Sequence, residues 1–347
     1  MSQKVNTVLG PVLADELGKT LMHEHFFFGY PGFYGNSLYY PNNREEILRA
    51  AMEFAEIVQA HGVKTVVDAT PNDTGRDPEL LKEIAERTGL NIICSTGYYY
   101  EGEGAPAYFK FKQALGTAED EIYELFMGEI TEGIGKTGIK PGVIKLGSGK
   151  DAITDYEEVF FKVAAKVQKE TGISIITHTQ EGTMGPEQAE LLVSEGADPK
   201  RILIGHMDGN TDINYHLRTL ENGVFVGFDR FGIQGFVGAP MDNERVGTLL
   251  GLIGSGYTDQ LMMSHDKVNF WLGKPPAWPD ELKKLTENWH PGHIFQNIIP
   301  ALKEGSVTEE QINTILVKNP NRIFGGREAV RNLKGNRDAA TVGDEVK

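Results

Sequence analysis

The sequence predicts an α/β protein built as a single (β/α)₈ TIM barrel, with long loops after its first and eighth strands. Three observations lead there. Eight short apolar runs recur along the chain, and an amphipathic stretch follows each of them. The first run leads into His23-Glu24-His25 rather than into a glycine-rich turn.

The runs lie at residues 19–22, 65–68, 91–95, 142–146, 173–177, 202–205, 224–228 and 260–264. Buried parallel strands read this way because helices cover the sheet outside and side chains fill it inside. Between the runs stand helix signals. Asn43 with Glu46 forms a capping box, and Ile47, Ala51, Phe54 and Val58 supply one apolar face. Asp77-Pro78 opens the next helix and Gly89 closes it; Thr154 with Glu157 opens another, which Gly172 ends; Thr308 with Gln311 starts the last. Eightfold alternation closes naturally into a barrel. An open doubly wound sheet is the runner-up, but it normally carries a glycine-rich phosphate loop after its first strand.

Length and composition agree. A chain of 347 residues, 40% hydrophobic, holds one barrel of roughly 250 residues plus insertions. No linker divides it, so residues 1–326 are read as the barrel and 327–347 as a polar, weakly ordered tail. The two long loops, at 26–42 and 267–289, are rich in aromatic residues, and loops of that length are usually functional. A net charge of −15 argues against nucleic acid and anionic membranes as partners. No run of about 18 apolar residues is present to span a bilayer. The single Cys94 excludes an intrachain disulfide and a cysteine-rich metal site. Residues 1–6 lack the apolar core of a signal peptide, so a cytoplasmic protein is expected.

Chemistry-bearing residues collect at strand ends. His23 and His25 follow the first run, and residues i and i+2 of a strand share a face, so both point inward while Glu24 points away. His178, His206 and Asp266 end later runs, and Lys145 lies inside an apolar one. Alone, each has a plain structural reading: a satisfied polar residue, a turn aspartate, a lysine reaching to the rim. Together they occupy the rim where barrel active sites form, and they make a metal centre. An ammonium beside two cations is strongly disfavoured, so Lys145 is expected as a neutral amine that adds CO₂. The resulting N6-carboxylated lysine bridges two divalent ions. His23, His25 and Asp266 then hold the more buried ion, and His178 and His206 the more exposed one. A hydroxide between the ions becomes the nucleophile, with Asp266 accepting its proton. Nitrogen and oxygen ligands suit zinc, manganese, cobalt or iron. Phe26, Phe28, Phe270 and Trp271 are expected to wall an apolar substrate pocket.

The ligand order His23-x-His25, Lys145, His178, His206 and Asp266 resembles that of the phosphotriesterase family in the amidohydrolase superfamily. The stretches Gly97-Tyr98-Tyr99-Tyr100-Glu101-Gly102, Thr177-His178-Thr179-Gln180-Glu181 and Phe228-Asp229-Arg230-Phe231-Gly232 resemble the phosphotriesterase-like lactonases, and the bacterial branch that prefers γ- and δ-lactones most of all. The likeness spans about residues 5–325. It implies a hydrolase of lactones, in several family members including N-acyl-homoserine lactones, with weak cleavage of organophosphate triesters. It also implies that Tyr99 lies over the metals and contacts substrate, that Arg230 lies at the rim, and that the chain forms a homodimer. A packed aromatic corner is the plain alternative for Tyr98, Tyr99 and Tyr100. At Asp208 the resemblance leads one to expect a neutral residue; the aspartate is either a hydrogen-bonding support behind the ligands or an exposed side chain. A primary phosphotriesterase is the second enzymatic reading, and a metal-free ligand-binding barrel the non-enzymatic one.

Overall fold

The computed structural model describes residues 3–325. The tail expected at 327–347 lies outside the described residues. Among the described residues ten strands occur in order: β1 (Lys4–Thr7), β2 (Gly10–Leu13), β3 (Lys19–Glu24), β4 (Val63–Asp68), β5 (Asn91–Gly97), β6 (Val143–Ser148), β7 (Ser174–Thr179), β8 (Ile202–Ile204), β9 (Phe225–Phe228) and β10 (Leu261–Met263). β3 to β10 form one eight-stranded sheet in chain order, every pair parallel, so all eight expected strands are present and the barrel is the observed fold. The antiparallel hairpin of β1 and β2 was not foreseen, because its eight residues mix exposed and buried positions and carry no apolar run.

The helices follow their signals with one difference. Thr154 and Thr308 each form the reciprocal capping box expected of them, and Gly89 and Gly172 end their helices in the left-handed conformation that glycine adopts without strain. Asn43 caps the helix Arg44–Ala60 by accepting from Glu45 N at 3.0 Å, so the box with Glu46 is not made. The face Ile47, Ala51, Phe54 and Val58 is buried as expected. The loop region read as 267–289 contains a short helix, Asp280–Leu285, with Asp280 and Glu281 in its first turn and Lys283 and Lys284 in its last, which suits the helix dipole.

The strand period decides what lies above what. Met22, Val67, Ile93, Val143, Ile176, Leu203, Phe225 and Met262 form an apolar layer inside the barrel. Two residues on from Val143 and Ile176, at the same face, come Lys145 and His178. The polar cluster therefore stands on a dry floor. On β3 a register shift between Leu21 and Glu24 lets consecutive Met22 and His23 both serve the interior.

The β3–β10 seam closes through loops. Asp266 N donates to His23 O at 3.0 Å and His25 N to Lys267 O at 3.0 Å. Beyond it the two long loops pair, with Phe28 N on Phe270 O at 3.0 Å and Leu272 N on Phe28 O at 2.8 Å. The roof of the site is thus one structure made from two loops.

Candidate metal centre

His23, Lys145, His178, His206 and Asp266 converge at the C-terminal mouth of the barrel, and His25 joins them through Asp266. Lys145 Nζ lies 2.8 Å from His23 Nε2. Asp266 Oδ1 lies 3.1 Å from His25 Nε2 and 3.6 Å from His23 Nε2, while Oδ2 lies 3.7 Å from His206 Nε2. The rings of His178 and His206 meet edge to face at 4.6 Å. His23, His25, Lys145, His178, His206 and Asp266 are all buried. His206 and Asp266 hold positive φ, +57° and +52°, a conformation that costs a side-chain-bearing residue about 1–3 kcal/mol and concentrates at functional sites.

Burial sets the charge states. It holds the imidazoles of His178 and His206 well below their usual pKa, with Arg230 adding to the effect, and it lowers His23, with Lys145 adding to it. It pushes the Lys145 amine down to about 7, against the pull of Asp266 and Asp229. Burial opposes ionisation of Asp266, but His206 and Arg230 hold its carboxyl well below the usual range. Of those two, Arg230 is the lasting charge, since His206 is itself held neutral. The result is a set of neutral imidazoles with lone pairs to give, one ionised carboxylate and one amine able to lose its proton. Ligand atoms of His23, His206 and Asp266 all lie within 4.8 Å of one another. Hard and borderline donors without a thiol, gathered on an apolar floor, fit a divalent cation.

Two supporting carboxylates escaped the sequence reading. Asp229, after β9, is buried; its Oδ1 accepts from His206 N at 2.7 Å and pairs with His206 Nδ1 at 2.8 Å, and its Oδ2 pairs with His23 Nδ1 at 3.1 Å. It therefore orients two candidate ligands at once. The signal available was its place at a strand end among the ligands. Glu24, fully buried between His23 and His25 in sequence, is the other. Asp208 is fully buried rather than exposed: it accepts from Arg230 N at 3.0 Å and pairs with Arg245 Nη1 at 3.5 Å.

The surrounding residues divide. Tyr98 packs into the outer core against Phe109 and Phe160. Tyr99 turns into the site, 4.9 Å from the His178 ring, and Tyr100 stacks flat on His178 at 5.2 Å. Asp73, unremarked in the sequence, accepts from Tyr99 N at 3.1 Å and Ala105 N at 2.9 Å and so fixes that corner. Arg230 lies deeper than the rim: its side chain is 11% exposed, and its Nε donates to Asp266 Oδ2 at 2.9 Å, because the ionised carboxylate draws it in. Phe28 and Trp271 do line the cavity, which measures about 520 Å³. Phe26 and Phe270 do not. Phe26 is anchored by its N–H on Asp68 Oδ2 at 2.8 Å and packs outward against Phe54, and Phe270 packs on the same outer core.

Comparison with known proteins identifies the family. Residues 3–324 match the model of the phosphotriesterase family. The chain is 36% identical over 313 residues to an aryldialkylphosphatase of Saccharolobus solfataricus, covering 89% of this chain and 95% of that one. It superposes on an organophosphorus hydrolase from Deinococcus radiodurans with a TM-score of 0.92 at 55% identity, covering 93% and 97%. A second solved structure, described as organophosphate hydrolysis engineered from a weak promiscuous lactonase template, gives a TM-score of 0.91 at 53% identity, covering 93% and 100%. The chain belongs to the phosphotriesterase family and is a hydrolase.

Proposed function

We propose that this hydrolase is a binuclear metal-dependent lactonase that opens γ- and δ-lactones, with N-acyl-homoserine lactones within its range and weak organophosphate triesterase activity beside it. His23, His25 and Asp266 would hold one ion, His178 and His206 the other, and a carboxylated Lys145 both. Zinc, manganese, cobalt and iron all suit these donors. When bound, the metal pair supplies Lewis acidity and a water of lowered pKa.

The observation that carries the lactone reading is the Tyr99 hydroxyl. It lines the cavity beside His178, and burial holds its pKa well above the usual value, so it stays protonated. A lactone ring oxygen leaves as an alkoxide that gains from a fixed O–H donor. Arg230 holds the Asp266 carboxylate ionised, so Asp266 would meet the attack on the acyl carbon without a proton, as an acceptor must. Phe28 and Trp271, 5.8 Å apart, offer an apolar wall for an acyl chain. That wall accepts an aryl group equally well, which favours a primary phosphotriesterase as the second reading. The metal-free binding barrel is left with little support, because it needs no neutralised lysine among ligands.

The deciding experiment compares kcat/KM for γ-lactones, δ-lactones, acyl-homoserine lactones and aryl phosphotriesters on metal-reconstituted protein. Lactones ahead of phosphotriesters support the proposal; phosphotriesters ahead overturn it in favour of the second reading. The homodimer is proposed as well, supported by exposed Tyr34, Leu38, Phe111 and Leu115 on the loop after β3 and on the helix Ala107–Ala114 with its C-cap. Monomer alone in small-angle scattering at micromolar concentration would remove it. No helix among the described residues is long and apolar enough to cross a membrane.

A further inference from the structure

Glu24 stands between two candidate ligands, and the strand turns its side chain away from them. It is nevertheless fully buried. Its Oε1 accepts from Ser264 Oγ at 2.8 Å, His265 N at 2.9 Å and His265 Nδ1 at 2.8 Å; its Oε2 accepts from Lys267 N at 2.9 Å. All four donors belong to the four residues 264–267, which include Asp266. The Ser264 hydroxyl in turn accepts from His23 N at 3.0 Å. With His265 donating from Nδ1, its Nε2 is the acceptor for Ile294 N at 3.3 Å.

This clamp sits where support is needed. β3 and β10 share no ladder of their own, and Asp266 is the strained residue at φ +52°. Such strain persists only where the surroundings over-determine it. Bonds on both flanks of Asp266 converge on one carboxylate, and the Asp266 N–H is taken by His23 O. A carboxylate offers two acceptor oxygens, whereas the amide of glutamine offers one and would set an N–H₂ against one of these donors.

We infer that Glu24 is a positioning residue of the site: it fixes the Asp266 turn against His23, and thereby sets metal affinity and turnover without touching metal or substrate. The inference rests on the metal-centre reading above. It assigns the middle residue of the His23-Glu24-His25 run a function of its own.

The test is zinc binding by the full-length chain at buffered free zinc, in a double-mutant cycle of Glu24→Gln with Asp266→Asn. Glu24→Gln is expected to weaken zinc binding roughly ten- to hundredfold, and to lower kcat by a similar factor with KM held within about threefold. In the Asp266→Asn background the same change should cost less than about threefold, because the residue it positions is already altered. An equal loss in both backgrounds means general structural damage and overturns the inference. So does zinc affinity within about twofold of wild type. Should Glu24→Gln not fold, Ser264→Ala removes one donor; a loss of about three- to tenfold supports the clamp and no loss overturns it. Wild-type protein that takes up no zinc overturns the metal-centre reading itself, an outcome distinct from a wild type that binds zinc and a Glu24→Gln variant that binds it equally well.

Discussion

Replacing Asp229 with asparagine should weaken metal binding at the site while leaving the barrel standing. Asp229 Oδ1 collects two contacts from His206, at 2.7 and 2.8 Å, and Oδ2 one from His23, at 3.1 Å. A carboxylate only accepts, so both rings carry their proton on Nδ1 and turn a lone pair on Nε2 into the site. In Asp229→Asn the carbonyl oxygen stays where the two His206 donors converge. The amide N–H₂ then faces His23 Nδ1, and that nitrogen must become the acceptor. His23 is left with its proton on Nε2, the atom that lies 3.6 Å from Asp266 Oδ1 and has to bind metal. Undoing this means breaking one hydrogen bond of the charged class, about 1.5–3 kcal/mol, or roughly ten- to one-hundred-and-fifty-fold in affinity. Removal of partners behind metal-bound histidines costs a similar amount, about 10–100-fold. The assay is metal per chain against buffered free zinc, with circular dichroism as the check on folding. A folded Asp229→Asn protein whose occupancy curve overlays that of wild type would refute the tautomer argument.

Tyr99→Phe should lower lactone hydrolysis by the value of one hydrogen bond to developing charge, roughly ten- to two-hundred-fold in kcat/KM, while aryl phosphotriester hydrolysis changes little; equal losses on both substrates would make Tyr99 structural. The Lys145 amine gives a pH signature in chelated protein. Its pKa falls from 10.5 to about 7 on folding, so between those values the unfolded chain binds a proton that the folded chain does not. Metal-free protein should therefore gain stability as pH rises from about 7 towards 10, measured as the urea midpoint, and Lys145→Met should flatten that rise. An unchanged slope in the variant would place the titration elsewhere.

How much was legible follows from where each signal lives. Strands buried on both faces declare themselves as apolar runs, so β3 to β10 were readable, whereas the half-buried Lys4–Thr7 strand was not. That the candidate ligands gather at one mouth of the barrel was readable because barrel chemistry is displayed at strand ends, each residue a local fact of its own strand. Their supports were not: Asp229 meets His23 across 206 residues and Glu24 meets His265 across 241, and no local spacing encodes either contact. Arg230 was placed too far out because its position depends on the field of Asp266 rather than on its neighbours in sequence. The split between Phe28 and Phe26 has the same origin. The chain turns when Phe26 N binds Asp68, and after that turn the strand alternation no longer tells which ring faces the cavity.

The central claim is that Lys145 gives up its ammonium charge and works as an anionic, carboxylated bridge between two ions. The most direct measurement is a crystal structure of zinc-reconstituted protein, with anomalous scattering collected at the zinc edge. The account predicts two anomalous peaks flanking Lys145, one among His23, His25 and Asp266 and one beside His178 and His206, with density for a carboxylate on the lysine nitrogen. A fully metallated site around a bare Lys145 amine would contradict it.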